Sequence, residues 1–344
     1  MDIRGLGYLG VRSPNAAIWE TWGPEMLGMD IQDPTPKSSS LDQVIPKVDG
    51  AVYLRMDDRK WRIAVYPGDR DEIAFMGWEI ANRHAFAAAL KHLEAMNVPY
   101  TVASEQEALE RGVQQMAYFL DPVGYRHEIF YGGYVLEGSF APGRRPWFKG
   151  FRAGHLGIGH VVLAIPEFKQ ELDDFVANVL KMKPFTGGLS IKITGGDGGR
   201  VRTEQYRPAN NKRSHNIVYM EKAGYYGLHH IYFEYECLDD LGVTYDLIGK
   251  KSKYPLIATL GRHHTESAIS FYSQSPSGFH LEIGWDSMIV DDATLVQERA
   301  LHSFVWGLDL VGPMVLPHLK ISDENPGPNP GRHRDAVHKL GNAA

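Results

Sequence analysis

Three places in this chain put metal-binding side chains in apolar, strand-like sequence: His160 at the end of Gly157-Ile158-Gly159-His160, the pair His229-His230, and Glu282. Two neutral imidazoles and one carboxylate are the ligand set of a non-haem iron(II) site that keeps open positions on one face. Such a face holds a substrate and dioxygen side by side, so that a rare encounter becomes an oriented one. A single histidine on an apolar strand is more often a core residue with its hydrogen bonds satisfied. What sets this group apart is an internal control in the N-terminal half.

The control is a repeat. Asp121-Pro122-Val123-Gly124-Tyr125-Arg126-His127-Glu128-Ile129 aligns without a gap on Ser275-Pro276-Ser277-Gly278-Phe279-His280-Leu281-Glu282-Ile283. Leu6-Gly7-Tyr8 stands against Ile158-Gly159-His160, and Phe75, before Glu79, stands where His230 precedes Glu234. The N-terminal copy thus offers Tyr8, Phe75 and Glu128 in place of His160, His230 and Glu282. Two neutral aromatic rings cannot replace two imidazoles around a divalent ion, so one live and one retired site are expected. Glu128 reads as a remnant or a surface carboxylate. His230 rather than His229 is taken as the ligand because strand alternation sends neighbours to opposite faces.

The elements that must position these residues recur four times as strand, helix, then two or three strands. They start near Leu6, Glu72, His155 and Gly227, with helices over 16–27, 83–96, 168–179 and 238–248. Paired strand sets of this kind curl into a barrel-like cup on which distant residues converge. The expected division is an N-terminal domain over 1–135 with the retired repeat, a Gly-, Pro- and Arg-rich linker over 136–153, a metal-binding domain over 154–310, and a tail over 311–344. The stretch from Asp323 reads as disordered.

The 344 residues suffice for two cores, and 43% hydrophobic with 23% charged residues is the composition of a globular protein. A formal charge of −6 argues against a nucleic-acid binder. No apolar run is long enough for a membrane span, and no secretory signal is visible at Met1-Asp2-Ile3-Arg4. A lone cysteine, Cys237, excludes an intrachain disulfide and fits the cytoplasm. The glycines of Thr194–Gly199 lack the strand-to-helix context of a phosphate cradle and read as a mobile loop.

Several motifs carry a family resemblance: Gly157–Val162, Leu228-His229-His230, Leu260-Gly261-Arg262-His263, Ser270-Phe271-Tyr272, and Pro276-Ser277-Gly278 leading to Glu282-Ile283-Gly284-Trp285. Over roughly residues 3–310 they resemble the type I extradiol catechol dioxygenases of the vicinal oxygen chelate superfamily, above all the two-domain enzymes for bicyclic catechols. The resemblance implies an α+β fold of four βαβββ modules in two domains, with Fe(II) held by His160, His230 and Glu282. Mn(II) takes the same ligands. It also implies His215 as acid–base histidine, His263 and Tyr272 at the catechol oxygens, and Val162 against the ring. The partners implied are a catechol and O2, with homo-oligomers expected. Two departures stand out. Thr265-Glu266 occupy places where Asn-Asp is frequent, and Leu308 stands where a histidine is common. A glyoxalase- or epimerase-like metal enzyme with a further carboxylate ligand, or a metal-free binding protein, would share the fold.

Overall fold

The computed structural model describes residues 1–31, 47–136, 140, 145, 148–185, 189–192, 200–296, 304–314 and 316–328, with only the backbone at 189–192 and 200. The first sheet comprises β1 (Ile3–Ser13), β2 (Asp30–Ile31), β3 (Val52–Arg55), β4 (Ile63–Pro67), β5 (Glu72–Ile80), β6 (Tyr100–Val102), β7 (Gln115–Leu120) and β8 (Arg126–Tyr131). The second comprises β9 (Gly159–Ile165), β10 (Met182–Pro184), β11 (Leu189–Lys192), β12 (Arg200–Pro208), β13 (Ile217–Glu221), β14 (Gly227–Glu234), β15 (Leu256–His263), β16 (Ile269–Gln274), β17 (His280–Trp285) and β18 (Phe304–Trp306).

The two sheets have one plan. The orders β2-β3-β4-β1-β5-β8-β7-β6 and β10-β12-β13-β9-β14-β17-β16-β15 correspond strand for strand, with β18 added at one edge and β11 paired to β12. In each, an antiparallel central pair is flanked by parallel partners. Tyr8 lies opposite Gly77 and Gly77 opposite Glu128, just as His160 lies opposite Tyr232 and Tyr232 opposite Glu282. The ungapped sequence repeat is therefore a repeat of register. The paired modules expected from the sequence are thus present as two mixed sheets, and among the described residues neither sheet closes on itself.

Helices cover one face. Arg83–Ala95 starts where the Asn82 side chain accepts from the amides of His84 and Ala85, and it buries Phe86, Ala89 and Leu93 at helical spacing. Leu238–Lys251 buries Leu241, Thr244 and Ile248 in the same way. Strand β6 and the helix Glu105–Arg111, closed by a Ser104/Glu107 capping box, were not expected. Both are too short for periodicity to show them, although Ser104-x-x-Glu107 is a readable cap.

The halves are joined by more than a tether. One apolar core takes in Leu9 and Trp78 from the first sheet with Leu163 and Phe233 from the second. Trp19 Nε1 donates to Ser277 Oγ at 2.8 Å, and Tyr219 OH to Asp121 Oδ2 at 2.8 Å. The described parts of the linker are docked as well: Arg145 reaches Thr244 Oγ1, and Phe148 and Phe151 pack against Tyr235. The tail differs from expectation. Tyr226 N donates to the Leu319 carbonyl at 2.8 Å and Asn325 Nδ2 to the Tyr226 carbonyl at 2.9 Å, so Leu319 and Asn325 are fixed against the start of β14. Positions 329–344 lie outside the described residues.

Candidate metal centre

His160 is the second residue of β9, and the glycine before it is there for a steric reason. Gly159 has φ +149°, and a Cβ on it would lie 2.1 Å from the Tyr232 carbonyl oxygen, so only glycine lets β9 approach β14 at this point. The approach lays the Tyr232 ring flat on His160, centroids 4.6 Å apart. His230 comes from β14 and Glu282 from β17, all three buried. Glu282 Oε2 lies 3.2 Å from the Nε2 of both histidines, and the two Nε2 atoms are 3.4 Å apart.

That triangle fits a first-row divalent metal. Adjacent ligands about 2.1 Å from such an ion stand about 3 Å apart. Burial and then the Glu282 contacts leave His160 at about 4, neutral near pH 7 as a ligand must be. Burial alone would raise Glu282, but the charge of His263 and hydrogen bonds from His160, His230 and His263 hold it well below the ordinary carboxyl range. The donor set joins one anionic carboxylate to two imidazole nitrogens.

The alternation that was to separate His229 from His230 does not hold. The pairing of β14 with β9 shifts register between Leu228 and His230, and both imidazoles line the same cavity. His229 Nδ1 lies 2.7 Å from His230 Nδ1.

Beyond Glu282, His263 Nε2 lies 2.9 Å from Glu282 Oε1 and 3.0 Å from Ser270 Oγ, which donates to the same Oε1 at 2.9 Å. The other ring nitrogen faces Glu266 Oε1 at 3.4 Å. Burial would lower His263, but Glu266 and Glu282 together raise it to about 9, making it an imidazolium. Tyr272 lies opposite Glu282 in register, its OH 3.5 Å from His263 Nε2. Burial and the charge of Glu282 push its hydroxyl well above the ordinary range, so it stays a phenol.

The two departures now have a physical reading. Thr265 Oγ1 donates to Glu266, which keeps a carboxylate beside His263. The His263 ring stands between Glu266 and Glu282, so Glu266 does not join the three-atom group. Leu308, at φ +57°, packs on Tyr272 with Ile257 and Ala258 and makes that wall apolar.

His215 lines the cavity with its ring centroid 4.2 Å from that of His160, and Nδ1 lies 3.1 Å from Ser214 Oγ. Burial, then the charge of His160, lowers it to about 3. The cavity measures about 380 Å³. Val162, two residues after His160 and so on the same strand face, belongs to its wall, as do Val201, Thr203 and Gln205 of β12. The Thr194–Gly199 loop lies outside the described residues. Tyr232, Ser270 and His229 were missed by the sequence reading. Only alternation along β14 and β16 could have pointed to the first two, and nothing local signals the bulge that turns His229 inward.

The equivalent place in the first sheet is filled by protein. Tyr8 OH donates to Glu128 Oε2 at 2.8 Å, Arg111 Nε to the same oxygen at 3.0 Å, and Arg126 Nη2 sits 2.7 Å from Oε1. Arg111 lies over the Phe75 ring, 3.9 Å from its centroid. Glu128 is fully buried, so it is no surface carboxylate. Guanidinium charge stands where a metal's would be. Arg111→Ala should therefore destabilise the fold, by less than the about 3–5 kcal/mol of a fully unpaired buried charge because Arg126 and Tyr8 still hold Glu128, read as a lowered Tm with metal content unchanged. Burial alone would raise Glu128, but Arg111 and Arg126 keep it low. Its share of stability is present above the ordinary carboxyl pKa of about 4.3 and drains away as pH falls through the lowered value.

A family profile described as dihydroxybiphenyl dioxygenase BphC D1 matches residues 46–68. The chain is 33% identical to the biphenyl-2,3-diol 1,2-dioxygenase of Sphingomonas paucimobilis over 82% of its own length and 88% of that protein. It is 32% identical to the 1,2-dihydroxynaphthalene dioxygenase of Sphingobium xenophagum over 83% and 89% of the two chains. An iron-dependent extradiol dioxygenase of Rhodococcus jostii is 29% identical over 90% of this chain and 98% of that one. Among solved structures, a halotolerant catechol dioxygenase, BphC, superposes with a TM-score of 0.76 at 28% identity, covering 95% of this chain and 98% of that one.

Proposed function

The chain belongs to the extradiol catechol dioxygenase family, and from that membership we propose that it is an Fe(II)-dependent enzyme that opens the ring of a bicyclic catechol, such as 2,3-dihydroxybiphenyl, beside its hydroxyl pair and places both atoms of O2 in the product. The observation that carries the reading is the convergence of His160 Nε2, His230 Nε2 and Glu282 Oε2 on one point of a cavity about 380 Å³ in volume. When bound there, a ferrous ion supplies a Lewis acid that acidifies a coordinated hydroxyl and an open face for catechol and dioxygen.

The chain's own residues do the rest. His215, neutral and buried beside His160, accepts a catechol proton and returns one when the ring opens. The low basicity that burial gives it rises once an anionic catecholate lies within reach. His263 as an imidazolium and Tyr272 as a phenol donate to the substrate oxygens and stabilise their negative charge. Val162, Val218, Met220, Leu308, Leu310 and Met314 press on the carbon skeleton and keep water away. A wall of this extent suits a second ring better than catechol alone.

Two broader features belong to the same reading. Among the described residues no helix is long and apolar enough to cross a membrane. We place the enzyme in the cytoplasm, in keeping with its lone cysteine. Copies are expected to associate, since β18 leaves Phe304, Val305 and Trp306 exposed on an edge strand.

The function is tested by supplying 2,3-dihydroxybiphenyl to iron-loaded protein in air. A yellow product whose carbon skeleton is opened beside the hydroxyl pair is expected. A dicarboxylic muconate, from cleavage between the hydroxyls, would overturn the assignment.

A further inference from the structure

A metal-bound imidazole must present a bare nitrogen to the metal and keep its proton on the other, and the group that holds that proton is usually a carboxylate or a carbonyl. At His230 it is neither. Its Nδ1 lies 2.7 Å from Nδ1 of His229, whose own Nε2 lies 2.9 Å from the main-chain carbonyl of Met314. The two rings stand nearly perpendicular, at 71°.

Proton counting leaves one arrangement that is compatible with a metal. A carbonyl oxygen only accepts, so His229 Nε2 carries hydrogen. A metal on His230 Nε2 requires hydrogen on His230 Nδ1. The short contact between the Nδ1 atoms holds one proton, so that of His229 is bare and accepts. The reverse assignment would put hydrogen on His230 Nε2, aimed at Glu282 Oε2 3.2 Å away, where no metal could then bind to that nitrogen.

We infer that His229 is a positioning residue for His230: through it the Met314 carbonyl decides which ring nitrogen of the ligand faces Glu282. The inference rests on His230 as a metal ligand. The bulge between Leu228 and His230 is what makes the relay possible, since regular alternation would carry the two rings to opposite faces of the sheet. Met314 also lines the cavity, so the segment that fixes the ligand forms part of the substrate wall.

Metal affinity tests this without turnover. Metal-free protein is titrated with Co(II) against a competing chelator for the parent, His229→Leu and His229→Gln, with thermal melting to confirm that each folds. Leucine fills the space and drops both hydrogen bonds, so affinity should fall about 10–100-fold. The glutamine amide can accept from His230 Nδ1 and donate to the carbonyl, so its affinity should stay within a few-fold of the parent. In Zn(II)-loaded parent protein, nitrogen-15 spectra should place the His230 proton on Nδ1. Parent-like affinity in His229→Leu, equal losses in both variants, or a proton on His230 Nε2 would each overturn the inference. Because the readout is Co(II) binding, an inactive enzyme and a failed relay remain separate results.

Discussion

Alanine at His160, His230 or Glu282 should abolish metal retention and ring cleavage together. Each residue supplies one of three donor atoms that lie 3.2–3.4 Å from one another, and among the described residues no second carboxylate joins that group, since Glu266 faces His263 instead. Removing one donor leaves a two-point site, and the lost coordination is binding energy that nothing nearby replaces. Glu282→Ala should be the most severe of the three, since it also removes the only anion of the set and leaves His263 with one carboxylate instead of two. Metal analysis of purified variants and oxygen uptake with 2,3-dihydroxybiphenyl measure both losses. Phe75→Leu in the first sheet should retain the parent's iron. Iron found in the N-terminal half, or full activity after exhaustive chelation, would refute the assignment of the centre.

The site was legible because its geometry is encoded twice. A ligand set alone, scattered over more than a hundred residues, says little; the same strand framework carrying Tyr8, Phe75 and Glu128 says which positions face inward. The registers of Tyr8, Gly77 and Glu128 against those of His160, Tyr232 and Glu282 put that correspondence into hydrogen bonds. The sequence was silent where structure breaks its own periodicity. Strand alternation misplaced His229 because a bulge leaves no residue signature when no glycine marks it. The fate of Glu128 was equally hidden, since Arg111 reaches it from the end of a short helix whose face cannot be read at that length. Residues 323–328 were misjudged on composition: Pro and Gly read as disorder, while Asn325 Nδ2 reaches the carbonyls of Tyr226, His318 and Leu319.

His215→Gln should leave metal content and catechol binding near those of the parent and lower kcat by about 10²–10⁴-fold, the usual share of a positioned acid–base group. Glutamine keeps polarity and much of the volume beside His160, so the packing that holds the ligand ring survives. What it lacks is a site that takes up and returns a proton. His215 meets the requirement in two ways. Its Nδ1 is engaged by Ser214 Oγ at 3.1 Å, which fixes the ring and leaves Nε2 for the substrate, and its burial ensures that it arrives without a proton. The price of burial is weak basicity in the empty cavity, so the histidine should gain basicity only with the catechol in place. The variant's KM should therefore change little while kcat collapses, because in the proposed reading binding is assigned to the metal, His263 and Tyr272. A kcat within tenfold of the parent, or a loss confined to KM, would move the acid–base role away from His215, with His263 the next group in reach of the catechol oxygens.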